Sequence, residues 1–115
     1  SLNLGHTVGH AVERHSGYTV SHGEAVAIGL ATMARAGAAL GWCDSITAER
    51  IKTALKRRGL PLCYRCKPEE LLPYLWADKK RQGEELTVVL PHRIGYCSLR
   101  RMKEPQLLRL LREGL

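Results

Sequence analysis

Phenylalanine is absent from this chain of 115 residues, which has two Trp and four Tyr. Its core must therefore be built mainly from Leu, Val, Ile and Ala. No apolar run reaches the about 20 residues that a membrane span needs. No basic segment leads into an apolar stretch near the first residue, so a signal peptide is not expected. Cysteine is sparse: Cys43, Cys63, Cys66 and Cys97 are few for a secreted disulfide scaffold of this length. Cys63 and Cys66 have the spacing of a zinc or redox pair, yet no second close pair completes a four-cysteine site. Reduced, structurally incidental thiols in a cytoplasmic protein are the expectation. Also missing is a Gly-rich phosphate-binding strand–turn–helix, so nothing in the chain is expected to hold a dinucleotide.

Negative charge is the scarcer sign. Eighteen Lys and Arg outnumber 11 Asp and Glu, giving a net charge of +7 and a pI of about 9.6. Such a balance suits an anionic partner: nucleic acid, an acidic membrane surface or a phosphorylated metabolite. The bases are scattered, densest at Lys56-Arg57-Arg58, Lys79-Lys80-Arg81 and Arg100-Arg101, and aromatics make up 5 %. A nucleic-acid face needs a basic surface with aromatics or a recognisable motif. Neither nucleic acid nor membrane is therefore the expected partner. With 44 % hydrophobic and 25 % charged residues, residues 1–115 are expected to form one globular domain.

Leu4, Val8, Ala11 and Val12 recur at helical spacing over residues 3–15. Gly17 to Ser21 breaks the pattern and reads as a loop. From Gly23 to Leu40 the chain is rich in small and aliphatic residues, with Glu24 and Arg35 as its charges. A helix apolar on nearly every side is a buried central helix. Gly41 ends it. Thr47 is placed to cap a third helix, with Ile51, Ala54 and Leu55 as its buried stripe and Arg57, Arg58 and Gly59 at its end. Pro68 fits the first position of a fourth helix running to Ala77, with Glu69 and Glu70 beside its positive end. Leu86 to Leu90 is the convincing strand, and Tyr96 to Leu99 can pair with it across residues 91–95. A last amphipathic helix spans Pro105 to Arg112. The expected fold class is mainly α, a helical domain with a small β-hairpin.

Three histidines carry the chemistry. His6 and His10 are four apart on a predicted helix and share one face. His22 comes just before the next helix. Imidazole is the commonest zinc ligand, and a catalytic site typically combines three protein ligands with an open position. Two histidines at this spacing are also often mere helix-surface residues. His15 is rotated off the face and is expected to be exposed; His92 is expected in the turn after the strand.

The surrounding residues are more specific. Asn3-Leu4-Gly5-His6-Thr7-Val8-Gly9-His10-Ala11-Val12-Glu13 resembles the Asn-Phe/Leu-Gly-His-Thr-x-Gly-His-Ala-x-Glu signature of 3-dehydroquinate synthases. His22-Gly23-Glu24-Ala25-Val26-Ala27-x-Gly29 is similar to that family's next motif. Asp78-Lys79-Lys80 with Gly83, then Leu86-x-Val88-Val89-Leu90-Pro91 and Ile94-Gly95, resembles a third block. The blocks fall in the family's order.

The resemblance implies the C-terminal, metal- and substrate-binding half of an enzyme that turns 3-deoxy-arabino-heptulosonate 7-phosphate into 3-dehydroquinate in the shikimate pathway. In that reaction NAD transiently oxidises a hydroxyl, phosphate is eliminated, the ketone is reduced back, and ring opening with aldol closure follows. By the same resemblance His6 and His22 match metal ligands, the third being a glutamate upstream of this sequence. The metal is zinc or another divalent ion such as cobalt, since histidine accommodates several. His10 matches a histidine near the substrate and its phosphate, suited to proton shuttling. Asn3 matches a substrate contact, and Lys79 or Lys80 matches a lysine for the substrate's anionic groups. Glu24 is expected to stabilise its helix start, and Gly5, Gly9 and Gly23 to permit close backbone approach.

The NAD-binding N-terminal domain has no counterpart here, so the chain alone is expected to be inactive. The face that would pack on that domain is expected to be apolar and to favour self-association; the resemblance implies a dimeric parent, hence a homo-oligomer. Other readings stay open: a different sugar-phosphate cyclase such as 2-deoxy-scyllo-inosose synthase, a metal-dependent glycerol or alcohol dehydrogenase, or a non-enzymatic metal- or nucleic-acid-binding helical module.

Overall fold

Among the described residues of the computed structural model, five helices and one hairpin follow in the order α1 (His6–His15), α2 (His22–Leu40), α3 (Ser45–Arg57), α4 (Pro68–Ala77), β1 (Glu85–Arg93), β2 (Tyr96–Lys103) and α5 (Glu104–Gly114). The structure describes the backbone of residues 6–77, 85–93 and 96–115, and the side chains of residues 7–75 and 102–115. The expected class, mainly helical with a small hairpin, is what forms.

The centre is α2. Ala25, Ala27, Ile28, Ala31, Met33, Ala34 and Ala36 are all buried along it. Its small residues leave little volume, so its neighbours can sit close on several sides. Val8, Ala11 and Val12 of α1, Leu71, Leu72 and Leu75 of α4, and Leu107, Leu110 and Leu111 of α5 complete one core with Met102 of β2. Among the described residues no helix is long and apolar enough to cross a membrane.

The two charges foreseen in α2 have separate structural uses. Glu24 and Ser21 form a capping box: the Ser21 hydroxyl oxygen accepts from the Glu24 N–H at 3.3 Å, and Oε1 of Glu24 accepts from the Ser21 N–H at 3.1 Å. Arg35 is half-buried, which is tolerable because its guanidinium donates to two carbonyls. Nε reaches the Gly114 oxygen at the end of α5, and Nη2 reaches the Leu62 oxygen, each at 2.7 Å. At Gly114 a methyl group would collide with the Thr32 carbonyl of α2, so α5 lies backbone-close to the central helix.

Elsewhere the structure departs from the sequence reading. The third helix begins at Ser45, and its cap is Asp44, not Thr47. Asp44 has extended backbone, and its carboxylate accepts the Thr47 N–H at 2.7 Å. An anionic oxygen at a positive helix end outcompetes a hydroxyl three residues on. That bond holds the Asp44 carboxyl below the usual carboxylate range. The buried face also differs from the expected stripe: Thr47 and Ala48 are buried, Ile51 and Leu55 are half-buried, and Ala54 is exposed. The strands run longer than expected. β1 passes through Pro91 and His92 to Arg93, so His92 is in the strand and not in the turn, and β2 continues to Lys103. A register shift between Pro91 and Arg93 accommodates the proline, which cannot donate to a ladder. The last helix also extends to Gly114, with Gln106 Oε1 accepting from the Lys103 N–H at 2.9 Å.

The position of α1 on α2 is set by one glycine. A Cβ at Gly9 would stand 3.0 Å from the Ala25 oxygen and 3.3 Å from the Val26 Cα. Close approach at Gly9 agrees with the sequence reading; at Gly23 it does not, because nothing lies within 4 Å of a Cβ there. Gly5 lies outside the described residues. The two glycines should therefore respond oppositely to alanine. Gly9→Ala forces backbones apart, costing about 1–3 kcal/mol, of which about 1 kcal/mol returns as helix propensity. Gly23→Ala carries only the propensity gain, about 0.5–1 kcal/mol. Urea denaturation of both variants is the check.

Candidate metal and substrate site

The site is built where α1 leaves its first two turns and α2 begins. His6, His10 and Glu13 stand at i, i+4 and i+7 of α1, on one face. The opposite face buries Val8, Ala11 and Val12 in the core. α1 then ends in a Schellman turn. The Tyr18 N–H donates to the Glu13 oxygen at 2.8 Å and the Gly17 N–H to the Arg14 oxygen at 3.1 Å, with Gly17 at φ 65°. The chain is thereby turned back toward α1, and the Ser21 cap makes His22 the first residue of α2.

The result brings His10 and His22 together. Their ring centroids are 6.4 Å apart at an interplanar angle of 72°. Nδ1 of His22 lies 3.1 Å from Oε1 of Glu13. The His22 side chain is 60 % exposed, whereas Glu13 is only 14 % exposed, so the carboxylate backs the ring from the protein side. A histidine held at one nitrogen by a carboxylate is the usual arrangement of a metal-bound imidazole. That one feature suits His22 to the ligation of a divalent cation. Among the described residues no group of three His, Cys, Asp or Glu side chains could hold a metal. The His6 side chain, Asn3, Lys79 and Lys80 lie outside the described residues, so of the foreseen site His10 and His22 are the side chains seen to meet. Glu13 closes the first sequence motif without any role there. Its signal was its position, three residues after His10 and seven after His6.

His15 is not the exposed helix-end residue that its rotation suggested. It is 23 % exposed and edge-on to Tyr64 and Tyr74. Nε2 lies 2.9 Å from the Glu70 carboxylate and Nδ1 2.6 Å from the Tyr64 hydroxyl. A carboxylate only accepts, so Nε2 donates to it, which leaves Nδ1 as the atom that can accept from the Tyr64 hydroxyl. These bonds tie the end of α1 to α4 and to the segment before it. Burial raises the Tyr64 phenol above its usual range, keeping it a donor. Cys66 packs beside the core, and burial, then Glu70, pushes its thiol up to about 11. Cys43, Cys63 and Cys66 are free thiols.

The family model for 3-dehydroquinate synthase C-terminal domains matches residues 1–81. A 3-dehydroquinate synthase of Dictyoglomus turgidum is 38 % identical, over 98 % of this chain and 32 % of its own length. A crystal structure of 2-deoxy-scyllo-inosose synthase complexed with carbaglucose-6-phosphate, NAD+ and Co2+ superposes with a TM-score of 0.77 at 24 % identity, covering 97 % of this chain and 33 % of that one. A second structure of 2-deoxy-scyllo-inosose synthase gives 0.75 at 24 % identity, covering 96 % and 31 %. At that identity the likeness concerns the fold. The chain spans about a third of the length of the relatives it matches.

The His15 anchor has a consequence in acid. The hydrogen bond from His15, then one from the Lys67 N–H, holds the Glu70 carboxyl below the usual range. A carboxyl whose folded pKa is lowered stabilises the fold above its ordinary titration range and loses that contribution as pH falls. Glu70→Gln should therefore reduce stability at about pH 7 and have little effect at about pH 3. Urea melts of both proteins at the two pH values test this.

Proposed function

Because this chain belongs to the family of 3-dehydroquinate synthase C-terminal domains, we propose that it forms the metal- and substrate-binding wall of an enzyme converting 3-deoxy-arabino-heptulosonate 7-phosphate to 3-dehydroquinate with release of phosphate. The activity is that of a cytoplasmic lyase of aromatic biosynthesis. The observation that carries this reading is the meeting of His10 with a carboxylate-backed His22 at the junction of α1 and α2.

In this reading His6 and His22 hold a divalent metal, zinc or cobalt. When bound, the metal supplies Lewis-acid polarisation of substrate oxygens. His10, exposed beside His22, faces the substrate: its neutral ring accepts a proton and its protonated ring binds phosphate. Asn3 and one of Lys79 or Lys80 contact the substrate's polar and anionic groups. NAD is held by a separate domain, because the sequence contains no dinucleotide-binding loop. The 115 residues alone are therefore inactive, and joined to that domain they close the cleft. The sequence relative at 38 % identity favours dehydroquinate formation over the 2-deoxy-scyllo-inosose reaction.

Calorimetric zinc titration of the chain is expected to show one zinc per chain, abolished in the His6→Ala, His22→Ala double variant. Equal binding by both proteins would sink the ligand assignment and point to Cys63 and Cys66. In the chain joined to the remaining two-thirds that its relatives possess, His10→Ala should lower kcat by about 10²–10⁴-fold and leave zinc content unchanged.

A further inference from the structure

We propose that Glu13 is the positioning residue of this site: it fixes His22 in the Nδ1–H tautomer and so makes Nε2 the ligating atom. The inference rests on the metal reading above, but the bond it concerns belongs to the metal-free chain.

A neutral imidazole carries one proton, and an ionised carboxylate can only accept. With Nδ1 of His22 3.1 Å from Oε1 of Glu13, the proton must sit on Nδ1 for a hydrogen bond to form. The lone pair is then on Nε2. An unconstrained histidine side chain favours the opposite tautomer, so the contact selects the ligating one in advance of any metal.

Helix stability does not account for Glu13. It occupies the last turn of α1, next to Arg14 and His15, where the negative end of the helix dipole favours cations and disfavours a carboxylate. It is also largely buried, which costs a charge its hydration. His22 compensates for both. The residue is well fixed for the task, because its carbonyl accepts from the Tyr18 N–H at 2.8 Å and from the Ser16 hydroxyl at 3.0 Å. The turn that returns the chain to His22 is thus anchored on the residue that orients His22.

The test is the tautomer of His22 in the ¹⁵N-labelled, metal-free chain, read from two-bond ¹H–¹⁵N correlations at about pH 8.5, above the ordinary imidazole range. The wild-type chain is expected to show Nδ1 protonated. Glu13→Ala should transfer the population to Nε2–H and weaken zinc binding by about 10–100-fold. Glu13→Gln keeps the size and an acceptor oxygen but not the charge, and should give a mixed population and an intermediate affinity. A wild-type His22 already protonated at Nε2, or one whose tautomer is unchanged in a Glu13→Ala chain of normal helicity, overturns the proposal. Should Glu13→Ala not fold, the wild-type spectrum and Glu13→Gln decide it. Absence of zinc binding in every protein would count against the metal reading, while the tautomer would still decide the role of Glu13.

Discussion

Backbone meets backbone where α1 crosses α2 at Gly9, and the site exists because no side chain stands between them. That contact does little by itself. It sets the distance at which Val8, Ala11 and Val12 reach the core formed around α2. It also leaves the opposite face of α1, with His10 and Glu13, level with the first residue of α2. Burial on one side of a ten-residue helix therefore fixes chemistry on the other. The short return through Gly17 and Ser21 preserves the alignment, since its bonds are made to α1 itself at one end and to Glu24 at the other.

Away from this junction the molecule holds α1 from behind. His15 grips Tyr64 and Glu70, and α4 brings Leu71, Leu72 and Leu75 to the same core. The arrangement separates duties among similar residues. His10 and His22 are exposed at the open face, whereas His15 is half-buried among aromatic rings and works as a brace. Glu13 and Glu70 divide in the same way, one behind the site and one behind the brace. Identical side chains thus take unlike roles according to what lies beneath them.

Much of this was legible in the sequence, and the exceptions have physical causes. Gly41, Gly59 and Pro68 end or begin helices as their backbone chemistry requires, so those boundaries were readable from single residues. The capping role of Glu24 followed from its place in the first turn. Asp44 and Thr47 are both competent caps as residue types, and only charge and backbone conformation separate them. The limit of β1 is not legible at Pro91, because a proline disfavoured in a strand is absorbed here by a register shift. His10 and His22 were found because they lie within dense motifs. The role of His15 is not legible locally, because its partners, Tyr64 and Glu70, are 49 and 55 residues away in sequence.

Arg35 bears on how the chain is made. Its two acceptors belong to residues 27 and 79 positions further along, at Leu62 and Gly114. Synthesis proceeds from the N-terminus, so α2 is complete on the ribosome long before the second carbonyl exists. Until residue 114 has emerged, the half-buried guanidinium must keep its hydration or be shielded by something else. The α1–α2 junction can form early from near neighbours, whereas closure of α5 over the central helix comes last. The second bond of this arginine can thus form only once the last turn of α5 has been made.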